Sequence, residues 1–136
     1  MSNETEIKAI AVSVQHLKNQ GYVVKDVSRD RAHKGYDLLV TRGRKSLKIE
    51  VKGCTRRWHI PDPYVTEFDS EKRLVADFLC VVYFIESEQV KICMIAREAI
   101  RPEYVVPKGG YRIRSGFTKQ SELEQFLKDV KLGGEL

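Results

Sequence analysis

The sequence predicts an α/β domain, and three observations carry that prediction. Apolar residues recur at helical spacing near the start, alternate in twos through the middle, and run almost unbroken over 78–85. The 136 residues can build one core but leave no room for two, so we expect one domain over 1–136, with a core at about 4–95 and an extension at 96–136. With 42% hydrophobic and 32% charged residues, the chain is too apolar for wholesale disorder and too charged for a membrane span.

Ile7, Ile10, Ala11, Val14 and Leu17 predict an amphipathic helix from residue 4 to about 20 with that stripe inward, and Gly21 stops it. Tyr22 to Val27, Tyr36 to Thr41 and Ser46 to Lys52 are strand patterns. Arg42-Gly43-Arg44-Lys45 would turn the last two into a hairpin. Residues 54–69 hold Pro61 and Pro63 without a sustained period, which predicts a long loop of the kind that carries function. A short helix is expected over 71–76, then buried strands at 78–85 and 90–95 joined by a turn. Residues 100–118 read as irregular chain with one short strand at 111–114, and Leu123, Phe126, Leu127 and Val130 mark a closing helix capped by Thr118 or Ser121.

Charge gives the first functional hint. The net charge of +5 is concentrated between Arg42 and His59, where seven cations face only Glu50. No apolar run nears the roughly 20 residues of a bilayer helix, and Met1-Ser2-Asn3-Glu4 lacks a secretory opening, so a cytoplasmic protein with no membrane partner is expected. Cys54, Cys80 and Cys93 form no CxxC pair and read as reduced thiols. His16 is expected on the polar side of the first helix, and His33 and His59 have no histidine partner at zinc-ligand spacing.

Glu50-Val51-Lys52 has the acidic-x-Lys form of metal-dependent nucleases. The tripeptide decides nothing by itself, because Glu6-Ile7-Lys8 and Asp129-Val130-Lys131 also match. Those two lie in helical patterns, where i and i+2 point apart, whereas the middle one lies in a strand, where they share a face. There Leu47, Ile49 and Val51 alternate with Lys48, Glu50 and Lys52, and the hairpin can bring Asp37 beside Glu50. Two carboxylates suit Mg²⁺ or Mn²⁺, which would activate water, while Lys52 stabilises charge on a phosphodiester. A cross-strand charge cluster is the plainer alternative.

These residues, in this order of elements, resemble the PD-(D/E)XK nuclease superfamily, whose restriction endonuclease-like core is an αβββαβ arrangement with a central mixed sheet flanked by helices. Gly21-Tyr22-Val23-Val24, Gly35-Tyr36-Asp37 and Ile49-Glu50-Val51-Lys52-Gly53 look most like the Mrr-like branch and the NO VEIN C-terminal domain. The resemblance covers about residues 6–85. It implies Asp37, Glu50 and Lys52 as catalytic residues and a metal held by Asp37, Glu50, the Val51 carbonyl and Glu6. Glu6 is also spaced from Asn3 as a capping box, which leaves its role open. The implied activity is a Mg²⁺-dependent endodeoxyribonuclease whose products carry a 5′-phosphate, with DNA as partner and a homodimer as the arrangement that cuts both strands.

Arg56, Arg57 and Trp58, directly after the site, could grip phosphates and stack a base; Arg42, Arg44 and Lys45 form a second basic group at the hairpin tip. Lys108, Arg112 and Arg114 could extend a basic track. Two other functions use the same residues: a catalytically silent module that binds nucleic acid or protein, and a structure-specific Holliday junction resolvase.

Overall fold

The computed structural model describes residues 3–30, 35–55, 67–86, 89–100, 105–107 and 111–113. Helix α1 (Asn3–Asn19) is followed by strands β1 (Val23–Asp26), β2 (Leu38–Arg42) and β3 (Lys45–Cys54), then β4 (Phe78–Glu86) and β5 (Gln89–Ala96). A short 3₁₀ turn at Arg97–Ala99 and a small hairpin of β6 (Val105–Pro107) and β7 (Tyr111–Ile113) follow. The main sheet has five strands in the order β1-β2-β3-β4-β5, antiparallel throughout except for the parallel β3–β4 pair. This is an α/β fold with a mixed sheet and a helix packed on it, consistent with a restriction endonuclease-like core. No described helix is long and apolar enough to cross a membrane.

Local chemistry explains most of the order. Gly21 and Gly43 adopt φ of 91° and 63°, so one ends α1 and the other turns β2 into β3 within two loop residues. Alternation on β3 and its neighbours divides the core between two faces. Leu38, Val40, Ile49, Val51, Cys80, Val82 and Met94 pack with Ala9 and Leu17 of α1. On the far face Leu79, Val81, Tyr83, Cys93 and Ile95 pack under Phe68, Leu74, Ala76, Ile100 and Val105. Burying each large aliphatic side chain contributes about 1.5–3 kcal/mol, so both covers matter to stability.

The inward face of α1 is rotated from the expected stripe. Ile7 is 54% exposed and Ala11 is exposed, while Ala9, Ser13 and Leu17 are buried. Close approach is the reason. A Cβ at Gly53 would lie 2.9 Å from the Thr5 carbonyl oxygen and 3.0 Å from the Ala9 Cβ, so only small residues fit where α1 crosses β3. Ser13 remains satisfied by donating to the Ala9 carbonyl at 2.8 Å and sits 3.3 Å from Cys80 Sγ. All three cysteines are buried, free thiols.

The helix expected over 71–76 does not form. The Asp69 carboxylate accepts from the N–H groups of Glu71 (2.8 Å) and Arg73 (3.0 Å), offering the backbone a turn instead of helical partners. Lys72 takes a φ of 63°, and Phe68 and Leu74 form an isolated bridge that closes the turn. Near the end, 105–107 adds a second strand to the one expected at 111–114, which runs 111–113. The expected closing helix lies outside the described residues.

Candidate functional site

The site is assembled where α1, the entry to β2, the middle of β3 and the chain before β4 meet. Asp37 lies one residue before β2, where the regular register ends, and its carboxyl reaches that of Glu50 on β3. Asp37 is fixed there by its backbone: its N–H donates to the Ile49 carbonyl at 2.8 Å, and its carbonyl accepts from Val27 at 2.8 Å. The Val51 N–H donates to Asp37 Oδ2 at 2.8 Å and contacts Glu50 Oε1 at 3.2 Å, so one backbone donor ties the two carboxyls together. Glu50 and Lys52 project to the far face, as alternation requires, yet they are only 4% and 6% exposed. That burial sets the arrangement apart from a solvated cross-strand charge cluster.

Sequence reasoning missed the residue that completes the cluster. Glu67, 6% exposed, accepts from the Lys52 ammonium at 2.7 Å. Its backbone carbonyl accepts from Val75 at 2.8 Å, so the turn that replaced the short helix is what holds Glu67 in place. The available signal was an acid beside the apolar Phe68, at the end of a loop already marked as functional. Glu6 arrives from the first turn of α1, half-buried, accepting from the Gly53 N–H and lying within the field of Lys52, Asp37 and Glu67. Three carboxyls, those of Glu67, Glu50 and Glu6, therefore act on one ammonium, and Asp37 joins the cluster through Glu50.

Electrostatics follow from that imbalance. Burial, hydrogen bonding with Asp37 and the charge of Glu67 together hold the Glu50 carboxyl well above the usual carboxylate range. Glu6 is also pushed up, chiefly by burial, with Lys52 opposing. Burial pulls the Lys52 ammonium down, but the charges of Glu67 and Glu50 outweigh it and the net shift is upward. Lys52 is thus held as a cation. Among the described residues no three His, Cys, Asp or Glu groups form a ready-made metal cage. Mg²⁺ needs only one or two carboxylates besides water and substrate oxygens, so the Asp37–Glu50 pair fits such an ion.

The basic residues divide by face. Arg42 lies over the Tyr22 ring at 5.4 Å, on the α1 side of the sheet, and Lys45 is its register partner. Both are exposed, as is Arg44 in the turn, and the structure does not bring them to the carboxyls. Arg56, Arg57 and Trp58 lie outside the described residues, as do Lys108 and Arg114. Lys48, exposed and two residues before Glu50, shares the far face with the cluster and places its ammonium 5.2 Å from the Tyr36 ring.

No curated protein and no solved structure matches the chain. The family model described as Protein NO VEIN, C-terminal matches residues 5–95, a span that begins with the α1 turn carrying Glu6 and ends within β5. It contains Asp37, Glu50, Lys52 and Glu67 and covers about two thirds of the sequence, and on that match the chain belongs to the NO VEIN C-terminal family.

Proposed function

We propose that this domain is a PD-(D/E)XK-type endonuclease that hydrolyses phosphodiester bonds, in DNA, with Mg²⁺ or Mn²⁺. The observation that carries the proposal is the burial of Lys52 beside paired Asp37 and Glu50, with the carboxyls in excess over the cation. An unbalanced buried acidic group is costly to a fold, and a divalent cation relieves it. Asp37 and Glu50 would hold the ion, with Glu6 and Glu67 at its margin. When bound, the ion supplies an activated water and offsets charge developing on the phosphoryl oxygens.

The protein's own groups do the positioning. Val51 N–H sets the spacing of the two carboxyls. In an extended strand a residue's N–H and C=O leave on the same edge, which puts the Val51 carbonyl on the Asp37 side as well. Glu67 fixes the Lys52 ammonium where it can stabilise negative charge on the reacting phosphate. Gly53 lets α1 come close enough for Glu6 to reach the cluster.

The test is cleavage of labelled duplex, single-stranded, flap and four-way-junction DNA in Mg²⁺ or Mn²⁺, with EDTA controls and with Asp37→Ala and Lys52→Ala beside the wild type. Metal-dependent cutting that both substitutions abolish, in variants that still fold, is the expected result. DNA binding that is equal in EDTA and indifferent to both substitutions, without cutting, would overturn it in favour of a silent binding module. A cut confined to the junction would make the enzyme a resolvase.

A further inference from the structure

A cluster of four carboxyls repels the polyanion it is proposed to cut, so cations must guide the backbone to it. The far face offers them. Its β4–β5 half is covered by Phe68, Leu74, Ile100 and Val105; among the described residues no such cover lies over β1, β2 and the first half of β3. Two cross-strand rows make up that part. Lys25, Leu39 and Lys48 form the row next to the site, and Val23, Thr41 and Ser46 form the next. Lys25, Lys48 and Ser46 are exposed, Val23 is 71% exposed, and neither row contains an acid.

We propose that Lys25 and Lys48, with the Tyr36 ring beneath the Lys48 ammonium, form a nucleic-acid backbone track that crosses this part of the far face and delivers a phosphate to Glu50 and Lys52. The inference deepens the nuclease reading and rests on it for the identity of the site. Strand geometry sets the scale. Lys48 is about 6.6–6.8 Å along β3 from Glu50, and Lys25 is two strand spacings, about 9.5 Å, across the sheet from Lys48. Tyr36 directly precedes Asp37, so the ring that seats the guiding cation and the proposed metal ligand move as one unit. The hydroxyls of Thr41 and Ser46 offer further donors to phosphate oxygens, contacts that position a backbone without reading its sequence. Asp77, whose carboxylate accepts from the Lys48 N–H at 2.8 Å, lies 3.6 Å from the Arg97 guanidinium. It is already matched by a cation.

The test is fluorescence anisotropy of a labelled DNA duplex in EDTA, over salt from about 50 to 200 mM. Each lost phosphate contact should lower the slope of log K against log salt by about 0.9, so Lys25→Ala and Lys48→Ala should each remove about 0.9 and the double variant about 1.8. Lys48→Arg should keep the wild-type slope, and Lys18→Ala, on α1 across the sheet, should leave it unchanged. Both lysines are exposed, so the alanine variants should fold, which circular dichroism checks. An unchanged slope in the double variant overturns the track, as does a wild type that ignores DNA. Tight binding of a polyglutamate chain, with the same loss on substitution and no DNA binding, would assign the face to an acidic protein instead. Metal-dependent cutting is scored separately. Cutting without a slope change removes only the track, and a slope change without cutting removes only the nuclease.

Discussion

Strand β3 runs from an exposed, basic end to a buried, acidic one. Lys45, Ser46 and Lys48 lie open, whereas the four residues from Ile49 to Lys52 are all buried, although side chains alternate faces along the whole length. The backbone is the same; the cover differs. Past Lys48 the strand gains β4 as a parallel neighbour, and the turn between Glu67 and Asp77 folds over its far face. Polar residues on this strand are therefore solvated or buried according to a segment distant in sequence. Burying Glu50, Lys52 and Glu67 together is a poor way to stabilise a fold, since apolar residues of similar size would serve as well or better. A local breach of the patterning rules, surrounded by regular structure, is the signature expected of a site.

The sharpest way to break this contrast is to remove its one buried cation. Lys52→Ala leaves Glu67 and Glu50 buried without their ammonium, and breaking such a pair should cost about 3–5 kcal/mol of stability, read by urea unfolding. Lys52→Met combined with Glu67→Leu should recover most of that loss while cleavage stays absent. Recovery of both would make the pair a structural ion bridge with no part in chemistry. A loss in Lys52→Ala below about 1 kcal/mol would place the pair with ordinary surface bridges.

Glycine substitutions at the two ends of β3 probe the same difference at smaller scale. At Gly53 a new Cβ meets Thr5 and Ala9 at 3.0 Å or less, one contact being backbone, so α1 must shift. Gly53→Ala should cost about 1–3 kcal/mol as an overpacking change, and cleavage should fall with it, because Glu6 moves with the helix. At Gly43 nothing lies within 4 Å, and only the φ of 63° matters. Gly43→Asn should be nearly neutral, since asparagine tolerates that conformation, and it should leave cleavage intact. Thermal unfolding beside the cleavage assay separates the two positions.

What could be read from sequence follows the same divide. The hairpin, the alternation on β3 and the approach of Asp37 to Glu50 were legible because each depends on neighbours within a strand or a two-residue turn. Glu67 was not, because its place depends on Asp69 capturing the Glu71 and Arg73 N–H groups, which turns an apparent helix into a closed turn. The orientation of α1 was hidden for a related reason. Ile7 and Ala11 fit an apolar stripe, but contact with Gly53 and Cys80 selects the small residues Thr5, Ala9 and Ser13, a requirement that no periodicity in the helix announces. The division of the basic residues also needed the register, which sends Arg42 to the α1 side and Lys48 to the carboxyl side.

The mildest test is pH, and it acts on only one end of the strand. Glu50 has its carboxyl held well above the usual range by burial and by Asp37 and Glu67. For an acid with a raised folded-state pKa, the folded protein binds the proton more tightly than the unfolded chain. The associated stability is fully present below the ordinary carboxyl range and is lost as pH rises through the raised value. The unfolding free energy of the metal-free protein in EDTA, read by urea titration, should therefore fall as pH increases from that range upward, by at most about 1.4 kcal/mol per pH unit for the one group, and the urea midpoint should fall with it. Glu6 should add to the fall in the same direction, its carboxyl being raised mainly by burial. Glu50→Gln, neutral at every pH, should flatten most of the profile and leave the metal-free protein more stable than wild type on the alkaline side. Ser46→Ala, at the open end, should leave the profile unchanged. A wild-type midpoint that rises with pH would mean Glu50 is folded as an ordinary stabilised carboxylate, and the distinction between the two ends of β3 would then lie in shape alone.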